Sequence, residues 1–158
     1  MSEFEWQLLA DRPETIPQVA LWYFREWCEE SGRYRLEEVQ QNVAKSVERT
    51  QAPLILLGFQ DSELACAGEF KLTEMDMYPD YEHWIGGIYV DPQHRGLGLG
   101  RQLVERLMAI AKRAGVKQLY LQTERLDGGL YSPLGFKPIH QVNNKGVDVR
   151  VMVANLER

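Results

Sequence analysis

A chain of 158 residues is long enough for one domain with its own core and too short for two of ordinary size. Its residues are 44% hydrophobic and 26% charged, which excludes a disordered or collagen-like polypeptide. A net charge of −5, from 23 acidic and 18 basic residues, argues against a dedicated nucleic-acid binder, because such proteins cluster Lys and Arg against phosphates.

The chain opens without a basic start followed by an apolar stretch, and no apolar run is long enough to cross a bilayer; a cytoplasmic protein with no membrane partner is expected. Residues 4–10 read as a first strand. Thr15 and Gln18 then stand in capping-box spacing before a helix whose apolar face is Ile16, Val19, Ala20, Tyr23 and Trp27, ending near Ser31 and Gly32. A second helix over residues 35–50 carries Leu36, Val39, Val43 and Val47 on one stripe. Residues 53–59 and 64–75 form a hairpin about the turn at 60–63. An acidic interruption with Pro79 follows, and residues 83–90 read as another strand ending at Asp91-Pro92. Leu99, Leu103, Leu107, Ile110, Ala111 and Ala114 define a third helix, closed by Gly115. Residues 117–123 are a strand, 126–135 a short helix or turn, and 136–142 with 146–156 a closing strand pair.

The order is mixed α/β (α+β), and its consecutive central strands exclude the regular alternation of a doubly wound dinucleotide fold. Cys28 and Cys66 lack metal-ligand or C-x-x-C spacing and read as reduced thiols. No H-E-x-x-H motif is present, so no metal site is expected.

The most informative stretch is Gln93-His94-Arg95-Gly96-Leu97-Gly98-Leu99-Gly100, between a predicted strand and the clearest helix. Glycines at this point let successive N–H groups converge, and the helix start adds the positive end of its dipole. A pyrophosphate fits there, with Arg95 or Arg101 adding charge; spacing alone is equally compatible with a tight turn that holds nothing. A nucleoside triphosphate loop would need Gly-Lys-Ser/Thr, but Arg101 and Gln102 follow Gly100, and G-x-G-x-x-G is absent.

These residues resemble the acetyl-CoA motif of the GNAT superfamily of N-acetyltransferases, Arg/Gln-x-x-Gly-x-Gly/Ala, with Arg95, Gly98 and Gly100 in its defining places. Tyr131, four residues before Gly135-Phe136, resembles the family's second landmark. The likeness is detailed over residues 84–136 and departs at 126–130, where many relatives have a longer helix. It implies a single domain, a strongly twisted mixed sheet of about seven strands flanked by about four helices, with the fourth and fifth strands splayed apart for acetyl-CoA. By that resemblance the backbone of Tyr89 and Val90 meets the pantetheine arm, and Arg95, Gly96, Leu97, Gly98, Leu99, Gly100 and Arg101 hold the pyrophosphate. Val90 also offers an N–H to the oxyanion, and Tyr131 gives a proton to the departing thiolate. The implied reaction is direct attack by a primary amine of a small molecule or peptide in a ternary complex. A homodimer is common in the family. A sensor that binds acyl-CoA without turnover is the alternative.

Glu82 is the candidate general base. Extended geometry from Glu82 onward would put Glu82, Trp84, Gly86 and Ile88 on one face, and a bulge would reverse that assignment. Water as proton acceptor and a solvated Glu82 remain open. His94 and His140 read as structural or surface residues. Glu74, Asp76, Asp80 and Glu82 either favour a cationic acceptor, covered by Tyr81 or Trp84, or form an ordinary solvated loop.

Overall fold

In the computed structural model, which describes residues 4–157, strand β1 (Phe4–Leu8) leads through short 3-10 turns into helix α1 (Ile16–Tyr23). The expected capping box at Thr15 does not form. The turn at Pro13–Thr15 already places Thr15 in helical geometry (φ −83°, ψ −10°), and its Oγ1 donates back to the Arg12 carbonyl at 2.7 Å. Helix α2 (Leu36–Ala44) is capped instead by Glu38, whose carboxylate accepts the Arg35 backbone N–H at 3.1 Å. It ends six residues short of the expected boundary at 50, and Val47 is 44% exposed, bridging to Leu54.

Strands β2 (Leu54–Gln60), β3 (Glu63–Leu72) and β4 (His83–Val90) are successively antiparallel. Helix α3 (Leu99–Arg113) then crosses to β5 (Gln118–Thr123), which lies parallel to β4, and β6 (Lys137–Asn144) and β7 (Val147–Asn155) close the sheet. The seven strands run in the order β1-β2-β3-β4-β5-β7-β6. Among the described residues, three α-helices flank them. At the place of a fourth, residues 126–135 make turns and one 3-10 turn at Ser132–Leu134, because Gly128 and Gly129 both sit at positive φ. No described helix is long and apolar enough to cross a membrane.

The core lies on both faces of the sheet. On one, the α3 stripe of Leu99, Leu103, Val104, Leu107 and Ala111 packs with Leu54, Leu56, Phe70 and Ile85. Each of its three leucines is at most 1% exposed and contributes about 2 kcal/mol by leaving water. On the other, Val19, Ala20, Trp22 and Tyr23 of α1 and Val39 and Val43 of α2 cover Ile55, Leu57 and Phe59. Cys66 is buried in the first of these layers, where burial raises its thiol pKa to about 12. An aromatic and aliphatic cluster of Met75, Trp84, Val149 and Val151 fills the remaining interior.

Candidate active site

Strands β4 and β5 meet at a single registered pair, Trp84 with Tyr120. Tyr81 pins that end: it stacks on Tyr120 at 4.1 Å, and its hydroxyl shares a 2.8 Å hydrogen bond with His140 Nε2. Beyond it, Ile85–Ile88 of β4 and Leu121–Thr123 of β5 both line an open cleft of about 940 Å³. The parallel strands therefore register at Trp84 and Tyr120 and part beyond that pair.

A bulge lies at this opening. Ala67 pairs with Tyr89 but Glu69 pairs with Gly86, so β4 carries one extra residue over that span, and Gly87 takes φ +56°. A Cβ at Gly87 would lie 2.9 Å from the Tyr23 hydroxyl oxygen and 3.1 Å from the Glu69 carboxyl carbon; only glycine fits. The bulge also ends strict alternation, which places Ile85, Ile88 and Val90 together on the α3 side.

Facing the bulge are two tyrosines and three charged residues. Lys71 Nζ is 3.3 Å from Glu69 Oε2 and 2.5 Å from Glu74 Oε1. Burial alone would lower the Lys71 pKa, but Glu69 and then Glu74 outweigh it and hold the ammonium above the ordinary lysine value. Both carboxylates are 15% exposed, and the group carries a net charge of −1 on the cleft floor. Tyr23 is 5% exposed, and its hydroxyl has no hydrogen-bond partner among the described residues. Burial first, and then the charge of Glu69, raise its phenol pKa well above the usual value. Tyr131 also lines the cleft, edge-on to Phe136 at 6.0 Å. Burial, helped by Glu74, moves its pKa up to about 12, so the phenol keeps its proton at neutral pH. The kcat–pH profile should accordingly show no decline from Tyr131 between pH 7 and 10; a Tyr131-dependent loss in that window would refute this assignment.

Glu82 is not brought to the cleft. It precedes β4, is exposed, and lies 3.6 Å from His83 Nδ1, so the shared face with Gly86 and Ile88 is not realised. Asp76 and Asp80 are likewise exposed, and Glu74 alone of the four clustered carboxylates faces inward. Glu82→Gln should leave kcat within about twofold from pH 6 to 9; a lost acidic limb would restore Glu82 as base. The cleft carboxylates were detectable another way. Glu69 and Lys71 alternate with Ala67 on one face of a mid-sheet strand, where charge demands a partner.

The glycine turn follows β4. Gly96 and Gly98 have φ of +82° and +77°, and a Cβ at either would meet nothing within 4 Å. Gly98 is the residue before α3, and no N–H from Gly96 to Arg101 finds a backbone acceptor among the described residues. An anionic pyrophosphate fits such a cradle. The side chains behave differently from the expectation. Arg95 folds back, its Nε donating to the Val90 carbonyl at 2.9 Å and its guanidinium 5.8 Å from the centre of the Tyr89 ring. Arg101 pairs with Glu105 at 3.3 Å. Arg95 thus ties the loop to the end of β4, and what the turn offers an anion is chiefly backbone N–H. Tyr89 itself packs on Trp22 at 5.0 Å. His94 is 7% exposed and bonds Asp91 at 3.1 Å, a structural role as expected.

The profile of the acetyltransferase (GNAT) family matches residues 14–136, most of the chain. This chain belongs to the GNAT family. A curated relative, the [citrate [pro-3S]-lyase] ligase of Klebsiella pneumoniae, is 29% identical over 87 residues; these are 55% of this chain and 25% of that protein, so the chain spans about a quarter of it. Among solved structures, aminoglycoside 6'-acetyltransferase type Ii superposes with a TM-score of 0.71 at 19% identity, covering 98% of each chain. A GNAT acetyltransferase from Streptococcus pneumoniae gives 0.70 at 18% identity over 97% of this chain and 99% of its own. The yncA protein of Salmonella typhimurium, solved with acetyl-CoA, gives 0.69 at 19% identity over 98% and 94%. At these identities the structures establish the shared GNAT fold.

The cradle yields a direct expectation. Gly98→Asn keeps a residue type that tolerates the left-handed region, whereas Gly98→Asp adds a charge of nearly the same shape. The aspartate variant should bind acetyl-CoA on the order of tenfold more weakly than the asparagine variant, measured by calorimetry. Equal affinities would show that no anion sits at this helix start.

Proposed function

We propose that this protein transfers an acetyl group from acetyl-CoA to a primary amine. The observation that carries the reading is the opening between β4 and β5, flanked by the glycine cradle where β4 ends and by the Tyr131 cleft on the other side. Acetyl-CoA supplies the acetyl group activated as a thioester. Backbone N–H groups from Gly96 to Arg101 hold its pyrophosphate, and the β4 backbone at Tyr89 and Val90 lies along the pantetheine. The net negative group of Glu69, Lys71 and Glu74 attracts the incoming amine, which loses its proton to water and forms the C–N bond; as the C–S bond breaks, Tyr131 gives its proton to the CoA sulfur. An open cleft with a protonated phenol on its wall favours turnover over a sensor that only binds.

Direct transfer to the amine is favoured over an enzyme-bound acetyl group. The one cleft-lining cysteine, Cys28, has its pKa raised by burial, which leaves little thiolate to act as nucleophile. The test is release of free CoA thiol across a panel of primary amines, beside calorimetric titration of acetyl-CoA. Thiol release with intersecting initial-velocity lines is expected. Failure to bind acetyl-CoA would sink the proposal, and parallel lines would sink direct transfer.

A further inference from the structure

The charges around the cleft are not evenly spread. Its floor is the net negative group of Glu69, Lys71 and Glu74, with the unpartnered Tyr23 hydroxyl beside the Gly87 bulge. Its outer walls carry Arg33 from the α1–α2 loop, Lys45 just after α2, and Lys145 from the β6–β7 turn. None of these three cations has a carboxylate partner among the described residues. Arg33 is nevertheless held in place: its Nη2 donates to the Lys145 carbonyl at 2.5 Å, which joins the two walls, and its remaining guanidinium groups have no hydrogen-bond partner among the described residues. Arg125 on the same wall is paired with Asp127, and Glu124 is the one outer carboxylate lining the cleft. The chain as a whole carries −5, so a cleft edged by three unpaired cations runs against its background.

We infer that the acceptor is an amine that also bears an anionic group, a carboxylate or a phosphate, held by Arg33 and Lys145 while its amine reaches the Glu69–Tyr23 end. This rests on the proposed acetyl transfer and replaces the purely cationic acceptor that the acidic 74–82 segment suggests. The polarity of the cleft matches a ligand with opposite charges at its two ends. An ammonium is drawn to the negative floor, and the guanidinium fork of Arg33, with Lys145 beside it, matches two oxygens of an anion. A polyamine would satisfy the floor but meet like charge at the mouth.

The test uses matched pairs: each standard L-amino acid against its α-amide, phosphoethanolamine against ethanolamine, and putrescine and spermidine as polycations. Thiol release with acetyl-CoA is measured beside equilibrium binding to the CoA-loaded protein. The expected result is a kcat/KM at least tenfold higher for one anionic member than for its neutral partner, expressed in KM. The Arg33→Gln/Lys145→Gln pair should collapse that ratio toward one, and Arg33→Lys should restore part of it. The amino-acid and phosphoethanolamine arms tell carboxylate from phosphate. Equal or better use of the amides, or of the polyamines, overturns the inference, as does a ratio that survives in the double variant. If no amine is acetylated, binding still decides: anion-dependent binding lost in the double variant supports this acceptor class while transfer fails, and binding without anion preference overturns it.

Discussion

Tyr131→Phe lowers kcat by about two orders of magnitude while the affinity for acetyl-CoA stays within about twofold. The phenol lines the cleft, and burial with help from Glu74 moves its pKa up to about 12, so the acid is loaded throughout the neutral range. General acid catalysis is typically worth 10²–10⁴-fold. The low end applies because a thiol with a pKa of about 8.5 already leaves tolerably as a thiolate. The ring itself packs against Phe136 and is retained in phenylalanine, so stability and cofactor binding should not follow the loss. Steady-state kinetics with calorimetry separate the two quantities. An unchanged kcat would remove Tyr131 from the chemistry, and a matching loss of acetyl-CoA affinity would make it a binding residue.

The placement of Tyr131 at the cleft and of the glycine turn before α3 was legible in the sequence because both rest on short local spacings that fix backbone shape. The α3 stripe was legible for a related reason: its apolar period matched the helix, and every stripe residue from Leu99 to Leu107 is buried. The misassignments arose where a local irregularity or a long-range contact broke the simple period. Trp27 continues the period of α1, but the helix widens after Tyr23, where the Glu29 N–H reaches the Phe24 carbonyl at 2.7 Å. That turn leaves Trp27 45% exposed on the cleft wall, beside Tyr89. Glu82 has the right chemistry at the wrong place, since the bulge at Gly87, not the entry to β4, is where the strand meets the site. Glu74 reaches the cleft from the same acidic segment because its neighbour Met75 is buried, 2% exposed, and anchors the loop. Nothing in the spacing of the four carboxylates separates Glu74 from the other three.

The same inward turn makes stability sensitive to Lys71. Methionine keeps the length and apolar stem of lysine but removes the ammonium, leaving Glu69 and Glu74 facing each other beside Gly86, where both Glu74 oxygens already lie within 3.5 Å of a Cβ position. Removing one partner of a buried ion pair costs about 3–5 kcal/mol. With the Lys71 side chain 32% exposed, water screens part of this, and about 2–3 kcal/mol is expected for Lys71→Met. The pH dependence has a definite sign. In the native protein the raised Lys71 pKa gives stability that is fully present below the unfolded lysine value and fades only as pH rises through the folded one. In Lys71→Met the two carboxylates repel, and that penalty is relieved once either of them binds a proton. The stability gap between the two proteins should therefore narrow from pH 7 to pH 5 in denaturant titrations. Adding Glu74→Gln to Lys71→Met removes the like-charge contact and should recover about half of the loss at pH 7. A gap independent of pH, with no recovery in the double variant, would mean that Lys71 acts by packing alone, and the negative floor assigned to the amine would lose its physical basis.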